Sequence, residues 1–323
     1  MQRRLLLRLP LAAALAAPGL ARAQGFPART VRVIVPYAAG GGTDITARLM
    51  AQHASGVSGQ SFTVENRGGG ASIPGTQAVA TAAADGYTLG VMDLSLVTNP
   101  GLFGTRLPYD TEKDIAAVGA VVAAPHVLLG SPGGSARSFA DFLTQAKARP
   151  GELAFAHAGN GTANHLASVQ LQIAAGLRLT LVGYRGAAPA NAAVAGNEVP
   201  FGFSAIPSAK GQVEGGLLRA LAVTGARRSA ALPDVPTFAE LGLPQMDTES
   251  VFGVIAPAGV PAEIIARLNA LMVAPAATAP IGPRMQAMGY SLMASSPADY
   301  ASLMKREIAK WRGIIATAGV QPE

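Results

Sequence analysis

Tyr37 to Asp44, "YAAGGGTD", sets three consecutive glycines and a threonine between an apolar run and a helix-like run. Such a turn lets the backbone approach a ligand closely, and the first-turn N–H groups and dipole of the helix behind it favour an anion. A second stretch, "HAGNGTANH" (His157–His165), repeats the Gly-Thr ending at a helix start. Two more stretches follow strand-like runs and carry polar groups, "DLSLVTN" (Asp93–Asn99) and "YRGAAPA" (Tyr184–Ala190). Thr43 and Thr162 can each cap a helix or offer a hydroxyl to a ligand. Arg185 can pair bidentately with a carboxylate or sit solvated at the surface. Asp44 can act as a base, face a ligand, or favour the dipole and N–H groups of its own helix. Asp93, at a strand end, would disfavour a second carboxylate if buried there and would favour an amine or a hydroxyl.

Other chemistries lack their residues. No Lys-Ser/Thr follows the glycines of the first loop, so it is not a Walker A loop, and no clean G-x-G-x-x-G is present. There is no G-x-S-x-G elbow and no H-E-x-x-H. The histidines are His53, His126, His157 and His165. Only His157 and His165 flank one loop, but a spacing of eight is not a helix-face spacing and no acidic ligand is adjacent. A packing or capping role for His165 is therefore expected rather than metal ligation. We expect no catalytic residue, no metal and no cofactor.

Elements able to position these loops alternate along the chain. "TVRVIVPY" (Thr30–Tyr37), "SFTVENR", "YTLGVMD", "APHVLLGSP", "ELAFAHAG", "RLTLVGY", "VPFGFSA", "LRALAVTG" and "ESVFGVIAPAG" read as strands. Helices are expected over "TDITARLMAQHASG" with a stop at Gly56, over "IPGTQAVATAAADG" to about Asp85-Gly86, and over "SFADFLTQAKARPG" with Ser138 as N-cap. Others run from about Thr162 to Ala175 and over "PAEIIARLNALMV", where Pro261 suits the first turn. The last helix is capped by Ser296 and stopped by Gly319; Tyr300, Met304, Ile308, Trp311 and Ile315 form one apolar stripe along it. Strand–helix alternation of this kind predicts an α/β fold with mixed, largely parallel sheets. Ligands of such sheets sit at strand carboxyl ends, where all four loops fall.

The first 23 residues read as a secretory signal peptide. Arg3, Arg4 and Arg8 precede a Leu/Ala-rich run, and "ARA" (Ala21–Ala23) is a cleavage pattern, with Gln24 as the new N-terminus. The Arg3-Arg4 pair lacks the rest of a twin-arginine motif, so the ordinary secretory route is expected. Removal leaves 300 residues and takes away four arginines, so the formal charge falls from +6 to +2. That leaves no basic surface for nucleic acid. With no cysteine, disulfides, thiol metal sites and cysteine-linked lipid anchors are excluded. A soluble, exported chain of two lobes joined by several crossings is expected, in a periplasm-like compartment, because 300 residues exceed the usual single core.

The loops match a known family. In order, "FPARTVRVIVPYAAGGGTDITAR", "VENRGGGASIPGTQAVA", "ADGYTLGV", "NPGLFGTRLPYD", "HAGNGTANHLA", "YRGAAPA", "LRALAVTGARRSAALPDVPTFAELGLP", "FGVIAPAGVP" and a closing "KW…AG" resemble the substrate-binding proteins of tripartite tricarboxylate transporters, the Bug family of extracytoplasmic solute receptors. The resemblance covers essentially the whole exported chain. It implies a two-lobed periplasmic-binding-protein type II fold with a ligand cleft between lobes. Lobe one would span 24–123 and 225–323, and lobe two 124–224.

The same resemblance implies a receptor that closes on a small organic acid and hands it to membrane permease subunits, without catalysis and as a monomer. Carboxyl contacts would come from the first loop (Tyr37, Ala38, Gly41, Gly42, Thr43, Asp44) and from Gly159, Asn160, Gly161, Thr162 and His165. The other ligand end would meet Asp93, Ser95, Thr98, Tyr184, Arg185, Gly186, Ala187, Ser204 and Ala205. A sensory partner of a two-component system would use the same pocket, and an exported hydrolase would need a nucleophile–base pair that is not evident. The chain departs from the family pattern at Leu181-Val182-Gly183-Tyr184-Arg185-Gly186, where His-Val-Pro-Tyr-Lys-Gly is common. It also has Ala193 for a common Asp, Val251 for a common Trp, and Asp93 at a usually uncharged position. The departures bear mostly on which acid is bound.

Overall fold

The structure, a computed structural model, describes residues 25–225 and 227–320. The expected signal peptide and its cleavage point after Ala23 lie outside the described residues.

The first half of the fold begins with β1 (Val31–Val35), α1 (Gly42–Ser58), β2 (Phe62–Asn66), α2 (Ile73–Ala80), β3 (Thr88–Met92) and α3 (Ser95–Phe103). A long strand, β4 (Ile115–Gly130), leads to α4 (Phe139–Ala148), β5 (Ala154–His157), α5 (Ala163–Ala175), β6 (Thr180–Gly183) and α6 (Ala187–Ala195). Then come β7 (Phe201–Ala205), α7 (Ile206–Glu214) and β8 (Arg219–Val223). The chain closes with β9 (Glu249–Pro257), α8 (Ala262–Met272), α9 (Ile281–Ala287), β10 (Ser291–Leu292) and α10 (Pro297–Ala318).

Two sheets share β4. One runs β2-β1-β3-β9-β4 with β10 also on β4; the other runs β4-β7-β5-β6 with β8 also on β4. The sheets are mixed, as expected. Parallel pairing joins β1 to β2 and β3, and β5 to β6 and β7. The strands that connect the two halves, β4 and β9, pair antiparallel with their neighbours. β4 leaves β9 at Pro125 and joins β7 at His126. The architecture is a two-lobed α/β fold.

Pleating explains the cores. In β1, Val31, Val33 and Val35 enter an apolar cluster with Met50 and Phe252, while Ile34 enters another with Met92, Ile255 and Trp311. The β4 residues Leu128 and Val127 divide the same way across the second sheet. The α10 stripe from Tyr300 to Ile315 is fully buried against the first sheet. Gly253 in β9 is required there, because a Cβ would lie 2.3 Å from the Tyr300 hydroxyl.

Several elements differ from the sequence reading. α1 runs through the exposed Gly56 and stops at Gly59, whose left-handed φ of 69° lets its N–H reach the Ser55 carbonyl. α2 ends at Ala80, and Asp85 instead braces the turn before β3 by accepting from the Tyr87 N–H. "DLSLVTN" is not a loop: Ser95 to Phe103 is helical and Pro100 is inside it. β4 starts at Ile115, nine residues before the strand read from Ala124. Its first half, "IAAVGAVVA", is apolar throughout and carries no period to choose strand over helix.

Candidate functional site

One cavity, about 90 Å³ in volume, opens where the two sheets meet. At roughly 10–15 Å³ per water it has room for several waters or a small ligand. Three helix starts line it: Gly41, Gly42 and Thr43 of α1, Thr162, Ala163 and Asn164 of α5, and Gly186, Ala187 and Ala188 of α6. Tyr37, Ala38, Ala39, Asp93, Ala158, Arg185, Pro189, Ala205, Ser208, Ser250 and Phe252 complete the wall. No side chain caps α1 at Gly41 or α6 at Gly186. Their first N–H groups and the summed dipoles favour negative charge in the cavity.

Asp44 holds the first loop from behind. It is buried, and Oδ2 accepts the Gly40 N–H at 3.0 Å and Arg48 Nε at 2.9 Å, while Oδ1 accepts Asn66 Nδ2 at 2.9 Å. Burial opposes its ionisation, but these donors outweigh it and hold the carboxyl below its ordinary value. Gly42 leaves little room for a side chain. A Cβ there would lie 3.1 Å from Phe252 Cζ, and its carbonyl accepts the Tyr290 hydroxyl at 3.0 Å.

Asp93 lies two residues ahead of α3 and lines the cavity, where it is partly exposed. Oδ1 accepts from the Tyr37 hydroxyl at 2.8 Å, from the Ser95 N–H at 3.0 Å and from the Ser95 hydroxyl at 2.8 Å. Burial pushes the Asp93 carboxyl above its ordinary value despite these donors. Burial and then the Asp93 charge push the Tyr37 phenol up, so Tyr37 stays a proton donor. Ser95 lies behind the wall, linked to Ser72 at 2.7 Å.

The second glycine loop turns its polar groups inward. The Gly159 N–H donates to His157 Nδ1 at 3.2 Å and the Gly161 N–H to His165 Nδ1 at 3.3 Å. The two imidazoles lie 4.6 Å apart, and both are buried. Burial holds His157 down at about 4, so it is neutral and accepts at Nδ1. Thr162 caps α5, accepting the His165 N–H at 3.4 Å. Among the described residues, no group of three potential metal ligands occurs.

Of the residues singled out from sequence, Tyr37, Ala38, Gly41, Gly42, Thr43, Asp93, Thr162, Arg185, Gly186, Ala187 and Ala205 line the cavity. Asp44, Ser95, Thr98, Gly159, Gly161 and Ser204 do not line it. Asn160 and His165 line a separate cavity with His157. Tyr184 sends its hydroxyl to Glu198 at 3.4 Å. Ser250, Phe252 and Ser208 were not anticipated, since only the antiparallel pairing of β9 and the entry into α7 bring them in. The Ser208 hydroxyl is buried without a partner. Beneath Ser250 lies the fully buried His126. Its Nδ1 is 3.3 Å from the Thr248 carbonyl, so that nitrogen donates and Nε2 accepts the Ser250 hydroxyl at 3.3 Å.

The chain as a whole is similar to known proteins. The family described as "Tripartite tricarboxylate transporter family receptor" matches residues 46–320. The chain belongs to that family. Protein BugT of Bordetella pertussis is 34% identical over 310 residues, covering 96% of this chain and 94% of BugT. Among solved structures, R. palustris Rpa4515 with adipate superposes with a TM-score of 0.88 at 33% identity, covering 92% of this chain and all of that one. MatC of Rhodopseudomonas palustris with bound malate gives a TM-score of 0.84 at 30% identity, covering 90% of this chain and all of MatC. The family is one of periplasmic solute receptors, and its members are binding proteins, not enzymes.

Proposed function

We propose that the protein is exported to the periplasm, binds a small organic acid in the cleft between its lobes, and delivers it as a monomer to the permease subunits of a tripartite transporter. The observation that carries this reading is the convergence of the α1, α5 and α6 starts on one cavity. Uncapped N–H groups at α1 and α6 provide donors for a carboxylate without a lysine or a metal. Arg185, exposed on the cavity wall, adds a cation. Adipate and malate in the two similar structures support an acid as the ligand class.

In this reading the lobes are 24–123 with 225–323, and 124–224. The passage of β4 from one sheet to the other between Pro125 and His126 supports those bounds. Closure would bring the α5 and α6 starts onto the α1 loop by a hinge in the shared strands.

Thermal unfolding against a panel of mono- and dicarboxylates tests the proposal. A ligand at a hundred times its Kd stabilises by about 2.7 kcal/mol. Stabilisation by at least one acid supports the reading. A response only to sugars or inorganic phosphate overturns it.

A further inference from the structure

Of the residues lining the cavity, Asp93 is the one acid and Arg185 the one cation among those described. Asp93 has no Lys, Arg or His nitrogen within 4.0 Å among the described residues. All three donors it receives from other groups converge on Oδ1. Its Oδ2 is hydrogen-bonded to no other residue, yet the side chain forms part of the cavity wall. A carboxylate oxygen accepts and cannot donate. Whatever faces Oδ2 must bring an N–H or O–H of its own, or the oxygen stays desolvated and unpaired.

We infer that the cavity selects an organic acid that carries a hydrogen-bond donor, a hydroxyl or an ammonium, at the end facing Asp93, and disfavours a second carboxylate there. This rests on the reading of the cavity as a carboxylate site. The helix starts of α1 and α6 take the ligand's carboxylate, and Asp93 Oδ2 accepts from the donor. A second ligand carboxylate at that place would set two anions side by side, with no protein cation within 4.0 Å of Asp93 among the described residues. The Tyr37 hydroxyl lies 2.8 Å from both Oδ1 and Ser95 Oγ, and the Ser95 hydroxyl lies 2.8 Å from Oδ1, so both donors are engaged within this cluster. Burial holds the Asp93 carboxyl above its ordinary value despite the donors on Oδ1.

The experiment compares three-to-six-carbon acids of matched length by calorimetry: the ω-hydroxy acid, the ω-amino acid and the dicarboxylate. Wild type should prefer a donor-bearing member over its dicarboxylate by about tenfold or more, the cost of leaving a buried acceptor unpaired. In Asp93→Asn the amide oxygen can keep Tyr37 and Ser95 while Nδ2 turns to the cavity, so preference should move toward the dicarboxylate by a similar factor. Asp93→Ser should bring the two within about threefold. Unfolding profiles of both variants establish that they fold. Equal binding of dicarboxylates by wild type, or a preference unchanged in both folded variants, overturns the inference while leaving the carboxylate site intact. Failure of every acid to bind wild type overturns the underlying site reading instead.

Discussion

Thr98 Oγ1 donates to the Gly161 carbonyl at 3.3 Å, tying α3 beneath the first sheet to the loop that starts α5 on the second. Gly161 is pressed against the same side: a Cβ there would lie 3.0 Å from Leu102 Cδ1 and 3.7 Å from Ala71 Cβ. Its φ of 75° is left-handed. The resemblance implied that this glycine meets the ligand, but its N–H is spent on His165 and its carbonyl on Thr98. Gly161→Val should therefore weaken acid binding by holding the halves apart. It should also cost about 1–3 kcal/mol of stability through the strained φ. Gly161→Ala should show the backbone cost with a smaller loss of affinity. Calorimetry beside denaturant unfolding separates the effects, and full affinity in the valine variant would refute the seam.

Asp44 predicts a loop effect at a distance from the ligand. Asp44→Ala removes the acceptor for the Gly40 N–H and the Asn66 amide, leaving donors unpaired at about 1–3 kcal/mol. Acid binding should fall roughly tenfold because the N–H groups ahead of α1 lose their fixed direction. Equal affinity in the variant would show that the loop holds its shape without Asp44.

The parts of the site visible in sequence are those set by local rules. "AAGGGTD" and "GNGT" announce helix starts after strands, and both occur there. The Tyr300-to-Ile315 stripe is a helical period with a cap at one end, Ser296, and a stop at the other, Gly319, and it is buried as a unit. What stayed hidden depends on distant pairing. Ser250 and Phe252 reach the cavity only through the register of β9 between β3 and β4. The orientation of the second loop is set by two buried imidazoles, and nothing in the spacing of His157 and His165 says that their Nδ1 atoms face their own loop. Asp44 and Asp93 read alike as acids at element ends. Packing alone turns one to its own backbone and the other to the cavity.

Buried histidines predict the acid limb of stability. His126 and His157 are held neutral by burial, each at about 4 against an ordinary 6.5. Between those values the unfolded chain binds more protons, so stability is full above about 6.5 and declines as pH falls toward 4. Each unit of that interval costs about 1.4 kcal/mol per histidine. Denaturant unfolding from pH 7.5 to 4 should show this slope, and His126→Gln or His157→Gln should each flatten it. A slope unchanged in both variants would assign the acid limb to other groups.

Tyr37→Phe tests the Asp93 cluster itself. The phenol donates to Asp93 Oδ1 at 2.8 Å and so favours the ionised carboxylate, against the larger effect of burial. Deleting the hydroxyl should raise the Asp93 carboxyl further above its ordinary 3.8, readable by NMR titration of the side-chain carbonyl. The sign of the stability change follows from the raised value. A carboxyl that holds its proton more tightly when folded contributes stability that is present below 3.8 and is lost as pH rises through the folded value. The variant should thus be closest to wild type in acid and fall away toward neutral pH, by about 1–3 kcal/mol for the lost charge-assisted bond. An unmoved titration in a folded variant would mean that Ser95 alone sustains the Asp93 carboxylate.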